Sequence, residues 1–475
     1  MARALLPVIA GQQWRLLVRD RRVAVLGLAL LLVLGTAAMT GAAMHAANDA
    51  ERAAAQVEEV HVWEMQGPAN PHGAAHFGRY VFKPMSPLTV LDPGLLPQLG
   101  ASVRLEAHAQ NPARGRAIDG GAALDRFAGL SPAAMLQVLA PLLIILSGFA
   151  TFAGERARTM LRQEIAAGTA PSVLMAGRLL GLGGTVAVLL VAVAIIGGIA
   201  LLAAGGGTAE LGALLWMMFG YALYLLAFAA LTLAASAAFA SARTALVVLL
   251  GFWAMATLFV PRVAPAVAER IAPTLSGPAF EAAVTKEVLE GPNGHDPQDA
   301  RLERLRETTM AQYKVKKLED LPIDFNGISL FHGEALSSGI YKRYFAALYD
   351  GYDRQAGVQR LFALLSPVQA IRPWSAALAQ SDQHAHRRFL EQAEHFRYGL
   401  VQTLNRNIIN RTPSEGPYMA DLAEITRGQA FRRAPPALGE TLGRHWPDLA
   451  LLTGWAALGS ALALIASRRL GCIQA

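Results

Sequence analysis

The side chains best suited to chemistry in this chain are histidines. His72 and His76 stand four apart in the run NPHGAAHFGRYVFKP, with His61 and Met65 a short way upstream. Imidazole nitrogen with an added thioether is a donor set that suits copper or zinc. Pro71 and Gly73 argue against a regular helix through the pair, and no cysteine or tight carboxylate cluster completes the set. Surface or packing histidines are therefore the competing reading. His384 and His395 fall on one helix face with Arg388 and Glu391, and Asp382 and His386 form a second pair four apart; both read as the salt-bridged surface of a helix. Trp63 and Trp374 read as core or interface anchors.

A second constellation is the polar stretch GERARTMLRQEIAAGTAPSVLMAGR, Gly154 to Arg178, which lies between two long apolar runs. Glu155, Arg156, Arg158, Leu161, Arg162, Glu164 and Arg178 give it charges for orientation and an apolar anchor. A short amphipathic helix of this kind, about Met160 to Ala167, can seat in the groove of a partner protein. Phosphate-binding chemistry is missing from the chain itself. There is no G-x-x-x-x-G-K-[ST], and GLGGT at Gly181 to Thr185 falls within an apolar run; G-x-S-x-G and H-E-x-x-H are absent too. No cofactor is expected in this chain, and any ATP and magnesium would sit on another one.

The elements that must hold these residues are membrane helices. Hydrophobic residues make up 53% and charged residues 16% of the 475, too charge-poor for an ordinary soluble domain. Six apolar blocks without a charged side chain each come close to or exceed the length of a spanning helix: 23–44, 133–153, 179–203, 211–240, 244–260 and 449–466. The first is longer than the core of a signal peptide and reads as a retained span. Pro141 inside the second suggests a kink. The expected organisation is an interfacial elbow helix at 1–22, outer segments at 45–131 and 261–448, an inner loop at 154–178 and an inner tail at 467–475.

Charge supports that sidedness. Arg3, Arg15, Arg19, Arg21, Arg22, Arg156, Arg158, Arg162, Arg178, Arg243, Arg468 and Arg469 outnumber Asp20, Glu155 and Glu164 on the side assigned to the cytoplasm, and the remainder of the chain is close to neutral. The net charge of +7 is thus a topology signal and implies no nucleic-acid partner. Both termini are expected in the cytoplasm and all 11 histidines outside it. The single cysteine, Cys472, rules out an intrachain disulfide, so packing must hold the outer domain. That domain reads as mixed α/β and mostly helical. Ala46 to Glu58, Asp299 to Lys317, Gly339 to Leu365 and Ser375 to Asn407 read as helices; VHVWEMQ, RYVFKPMSPLTVL and ASVRLEAH read as short strands, and LPIDFNGIS as a loop.

The inner loop resembles the cytoplasmic loop between the second and third spanning helices of ABC-2 type transporter permeases, in its Glu155-Arg156, Arg158, Leu161, Gly168 and Gly177-Arg178; Thr159-Met160 stands where Gly-Thr is usual. The outer stretches NPHGAAHFGRYVFKP, LEDLPIDFNGI and the run from Ser381 through AEHFRYGLVQTLN resemble a bacterial subgroup of these permeases whose extracytoplasmic domain has no assigned function. The resemblance implies a permease subunit of an ATP-driven exporter in the bacterial inner membrane. It also implies separate ATPase subunits and a second permease copy or paralogue as partners, beside lipid and a possible periplasmic protein. On this view Glu155, Arg156, Arg158, Leu161, Arg162, Glu164 and Arg178 receive the ATPase's motion, Arg243 is a second contact, and this chain has no catalytic residue. The alternative is a membrane-anchored, extracytoplasmic metal-handling or enzymatic protein, with copper or zinc at His61, Met65, His72 and His76.

Overall fold

The computed structural model describes residues 2–115, 131–290, 300–411 and 418–471. The chain is mainly helical. Helix α1 (Ala2–Arg19) leads at Asp20 into α2 (Arg21–Glu64), whose first turn Asp20 caps through its side chain. At 1.5 Å per residue α2 is about 66 Å long, roughly twice the hydrocarbon thickness of a bilayer, so its second half projects well beyond the apolar first block. There follow β1 (Pro68–Ala69), α3 (Pro71–Phe77), β2 (Arg79–Phe82), β3 (Ser102–Glu106) and β4 (Ala109–Gln110).

The apolar helices come next. These are α4 (Pro132–Gly148), α6 (Pro171–Ala203), α7 (Thr208–Ala238) and α8 (Ala242–Ile271), with the polar α5 (Glu155–Ala166) between the first two. The remainder is α9 (Gly277–Glu290), α10 (Ala300–Tyr313), α11 (Phe325–Leu361), α12 (Val368–Leu378), α13 (Gln383–Ile409), β5 (Ala420–Asp421), α14 (Leu422–Ile425) and α15 (Leu438–Gly471).

Among the described residues five helices, α2, α6, α7, α8 and α15, are long and apolar enough to cross a membrane, against the six expected. The second block forms only α4, about 25 Å long and short of a bilayer core of about 30 Å. Its end is set by α7: Thr232 crosses so closely at Gly148 that an added Cβ would lie 2.8 Å from it. Beyond the turn, the Phe152 amide donates to Ser236 Oγ at 2.9 Å. The expected kink at Pro141 takes the form of a widened π turn at Met135–Leu139. The carbonyl of Gln137, which Pro141 cannot satisfy, accepts instead from the Tyr224 hydroxyl at 2.6 Å. A second π turn, Met255–Phe259, carries α8 through Pro261, so this helix runs on to Ile271 beyond the expected end at 260.

Helix α7 is the most enclosed of the five long apolar helices and packs against α6, α12 and α15. Its Trp374 contact is close: Gly220 on α7 leaves the room that the indole of Trp374 on α12 fills, and Trp374 Nε1 donates to the Trp216 carbonyl at 3.0 Å. Trp374 is thus the interface anchor its type suggested.

The part beyond the apolar helices is built around α13, against which α3, β3 and α11 pack. Strands β2, β3 and β4 form a three-stranded antiparallel sheet in which Arg79 faces Leu105 and Leu105 faces Gln110, and β1 pairs antiparallel with β5. One apolar cluster joins Trp63, Ala74, Ala75, Leu400, Val401, Leu404 and Leu422; another joins Val81, Val103, Leu105, Phe389 and Ala393. VHVWEMQ is not a strand, since α2 stays helical to Glu64. Trp63 is buried there, its Nε1 bonded to Thr426 Oγ1 at 3.1 Å and Arg79 over its ring, and that packing outweighs the β propensity of the run. Most of LPIDFNGIS is likewise helical, because Asp324 caps α11 through the Asn326 amide. The helix expected over Ser375 to Asn407 is two, broken at Gln380, whose φ is positive.

Candidate functional site

The first half of the polar loop folds as a helix, α5, longer than the Met160 to Ala167 segment expected and starting at once after Gly154, while Pro171 to Arg178 already belong to α6, which begins eight residues before the expected span at 179. Gly154 adopts φ +92°, a region costly for other residues, and its amide donates to Ala240 O at 3.0 Å. That bond ties the start of α5 to the turn between α7 and α8, next to Arg243, which is exposed. Glu155, Arg156 and Arg162 are exposed and Arg158 is half-buried. Leu161 points the other way and is fully buried in the core of the helical bundle. It anchors α5 to its own protein and is not available to a partner.

Arg178, on the first turns of α6, fastens the far end of α5. Its Nη2 donates to Glu164 Oε2 at 2.6 Å, its Nη1 to Thr151 O at 3.0 Å, and its guanidinium lies 4.5 Å from the centre of the Phe152 ring. Glu164 and Arg178 are therefore structural bolts, and the outward set is Glu155, Arg156, Arg162 and Arg243. Helix α1 joins the same unit. Gly177, Gly181 and Gly184 form a groove on α6 that receives Ile9, Gln13 and Trp14; a Cβ at each would lie 2.4–2.6 Å from those side chains. Two of the three glycines of GLGGT, Gly181 and Gly184, thus serve helix packing, as their place within an apolar run implied.

Beside α13 the structure brings His72 and His76 together and adds a residue the sequence reading missed. Asn70 caps α3 by accepting from the Gly73 amide at 3.0 Å, and Pro71 sits in the first turn, where its missing N–H costs nothing. His72 and His76 consequently lie one turn apart on a regular helix, their Nε2 atoms 3.1 Å apart. His108, in the tight β3–β4 turn, stands over both: its ring centre is 5.4 Å from that of His72 and 5.3 Å from that of His76. One donor nitrogen from each of the three rings lies within 4.8 Å of the others. His61 and Met65 are exposed at the end of α2, and His61 is outside this group.

His108 holds φ +62°, unusual for a residue with a side chain. Glu334 of α11 keeps it there: Glu334 Oε2 accepts from the His108 amide at 2.7 Å and faces His108 Nδ1 at 3.2 Å. Behind it Arg397 of α13 donates Nη1 to Glu334 Oε1 at 2.6 Å and Nε to Glu394 Oε2 at 2.7 Å. Arg397 and Glu334 are almost fully buried, at 1% and 0% exposure. Burial would by itself raise the Glu334 pKa, but hydrogen bonds from His108 and the charge of Arg397 prevail and hold it at about 2. Burial lowers the pKa of His76, and the neighbouring His108 lowers it further.

The second pair singled out at the start of α13 is not helix surface: Asp382 caps the helix through the amides of His384 and Ala385, and His386 is buried. Of the first group, His384 and Arg388 do meet Glu440 at the surface. Residues 279–434 match the model of a family described as a domain of unknown function, DUF3526. No curated protein and no solved structure matches the chain. The matched region begins in α9 and ends beyond α14, so it contains Glu334, Arg397 and helices α10 to α13 but neither α5 nor the three histidines.

Proposed function

We propose that this chain is the membrane subunit of an ATP-driven transporter of the ABC-2 type, and that α5 receives motion from separate ATPase subunits in the cytoplasm. The observation that carries the reading is α5 itself. It is a short charged helix between two apolar helices, with one buried apolar anchor and with Arg156 and Arg162 presented outward. Such a helix is stiff along its length and can transmit a push at its exposed face to whatever its buried face holds.

What it holds is well defined. The Gly154 amide connects its start to the α7–α8 turn, and Arg178 connects its end to α6 and to the chain leaving α4. A displacement of α5 would therefore reach four apolar helices at once, and α1 through the glycine groove. ATP binding would move α5, rock the bundle and change access to a path at the interface between two permease copies. The matched domain would lie outside, where it receives or hands over the substrate. Sidedness rests on the excess of arginine at α1, α5 and the α7–α8 turn. A photo-reactive residue at Arg156 tests the reading: it should cross-link to an ATPase subunit, and the assignment fails if it meets only lipid or solvent.

A further inference from the structure

We propose that His72, His76 and His108 form a binding site for a divalent transition-metal ion of the zinc and copper class, with Glu334 aiming His108 at the ion. The proposal does not depend on the permease reading. Two imidazoles on a tetrahedral ion, at metal–nitrogen distances of about 2.0–2.1 Å, have their nitrogens about 3.3 Å apart. The Nε2 atoms of His72 and His76 are already 3.1 Å apart. A hydrogen bond between two neutral rings has the same spacing, but such a pair needs no third ring. The third ring is there, and its donor nitrogen needs to close in by no more than about 1.5 Å from the 4.8 Å limit to complete a face of the same tetrahedron.

The outer partner points the same way. A ligating histidine commonly gives its other ring nitrogen to a carboxylate, which fixes the tautomer and the ring's direction. Glu334 faces Nδ1 of His108 and also holds its amide, so Nε2 is the nitrogen His108 offers. The strained left-handed backbone of His108 is what turns the ring toward α3, and Glu334 stabilises that conformation. Behind it, a single guanidinium, Arg397, serves two carboxylates, Glu334 and Glu394. A cation held by the histidines would balance that excess of negative charge. Three imidazole nitrogens suit zinc or copper over calcium or magnesium, which prefer oxygen ligands.

The test uses the full-length chain in detergent, stripped by a chelator and titrated calorimetrically with Zn2+ alone and with Cu2+ alone. One ion per chain is expected. His108→Asn should weaken binding at least 100-fold; asparagine tolerates the left-handed turn, so the hairpin is kept. His76→Ala, at an exposed ring, should show a comparable loss and serves if the first variant does not fold. Glu334→Gln should weaken binding about 10- to 100-fold. In the Cu2+ form it should also shift the electron paramagnetic resonance parameters while three coupled nitrogens remain, which a purely structural role would not do. His61→Ala and Met65→Ala should leave the affinity unchanged. Absence of saturable binding by either ion, or unchanged affinity in both His108→Asn and His76→Ala, overturns the proposal.

Discussion

Replacing Arg178 by alanine removes the bolt between α5 and the apolar bundle without touching the exposed face of α5. Three interactions go: the ion pair with Glu164, the hydrogen bond to Thr151 O and the contact with the Phe152 ring. Hydrogen bonds involving a charged group contribute roughly 1.5–3 kcal/mol each, and a cation over an aromatic ring roughly 0.5–2 kcal/mol. Glu164 retains 24% exposure, so water takes over part of what Arg178 supplied and the lower ends of these ranges apply. Those lower ends sum to about 3.5 kcal/mol, and the desolvation of the buried Arg178 guanidinium offsets part of it, which leaves about 3 kcal/mol, about a 100-fold shift toward a detached α5. Leu161 still holds the middle of the helix, so opening stays local.

Hydrogen exchange read by mass spectrometry measures this directly. In Arg178→Ala the amides of Glu155–Ala166 should exchange about 100-fold faster, while those in the middle of α6 keep their wild-type rates. Arg178→Lys should fall between the two, because a single ammonium cannot reproduce the planar fork that reaches Glu164 and Thr151 together. Unchanged exchange across Glu155–Ala166 in Arg178→Ala would refute the assignment of Arg178 as the fastening point.

Two further outcomes follow from the packing. Gly181→Leu should expel α1 from its groove on α6, because even a Cβ there would lie 2.6 Å from Gln13; limited proteolysis within Ala2–Arg19 should become faster, and unchanged cleavage would contradict the docking. Lys83 is buried, and burial first, then the charge of Arg433, brings its pKa down to about 7 although Asp382 opposes them. Between about 7 and the ordinary 10.5 the unfolded chain binds a proton there that the folded chain does not, so this residue makes stability rise with pH across that window. Lys83→Met should therefore raise the melting temperature in detergent at pH 7 and lose that advantage near pH 10.5. An equal shift at both pH values would show that burial of the charge is not the cause.

The apolar blocks were legible because membrane spans are written locally, in runs of uncharged residues. Their ends were less so. The turn after Gly148 depends on Thr232 and Ser236, more than 80 residues away, and the run of α8 past Pro261 depends on a π turn that hydropathy does not encode. Asn70-Pro71 is a local helix-start signal, and counting Pro71 as a breaker hid the helix that pairs His72 with His76. Asp382 is a similar cap, and reading it as a mid-helix partner of His386 hid the break before α13. His108 carried no local signal. It joins the other two only because β3 and β4 pair beside α3 and Glu334 arrives from α11, a contact across 226 residues. Leu161 read as an outward anchor because an amphipathic pattern gives the two faces of a helix but not which neighbour each one meets.

The central claim is that α5 meets an ATPase. A photo-reactive amino acid in place of Arg156 in the full-length chain, expressed in its native host and irradiated in isolated membranes, measures that contact directly. An adduct identified by mass spectrometry as an ABC-type ATPase subunit is expected, with a yield that changes when ATP is exchanged for a non-hydrolysable analogue; the same probe at Tyr80, exposed on β2, should give none. An Arg156 probe that yields no ATPase adduct in either nucleotide state, or a Tyr80 probe that captures the ATPase, would contradict that claim.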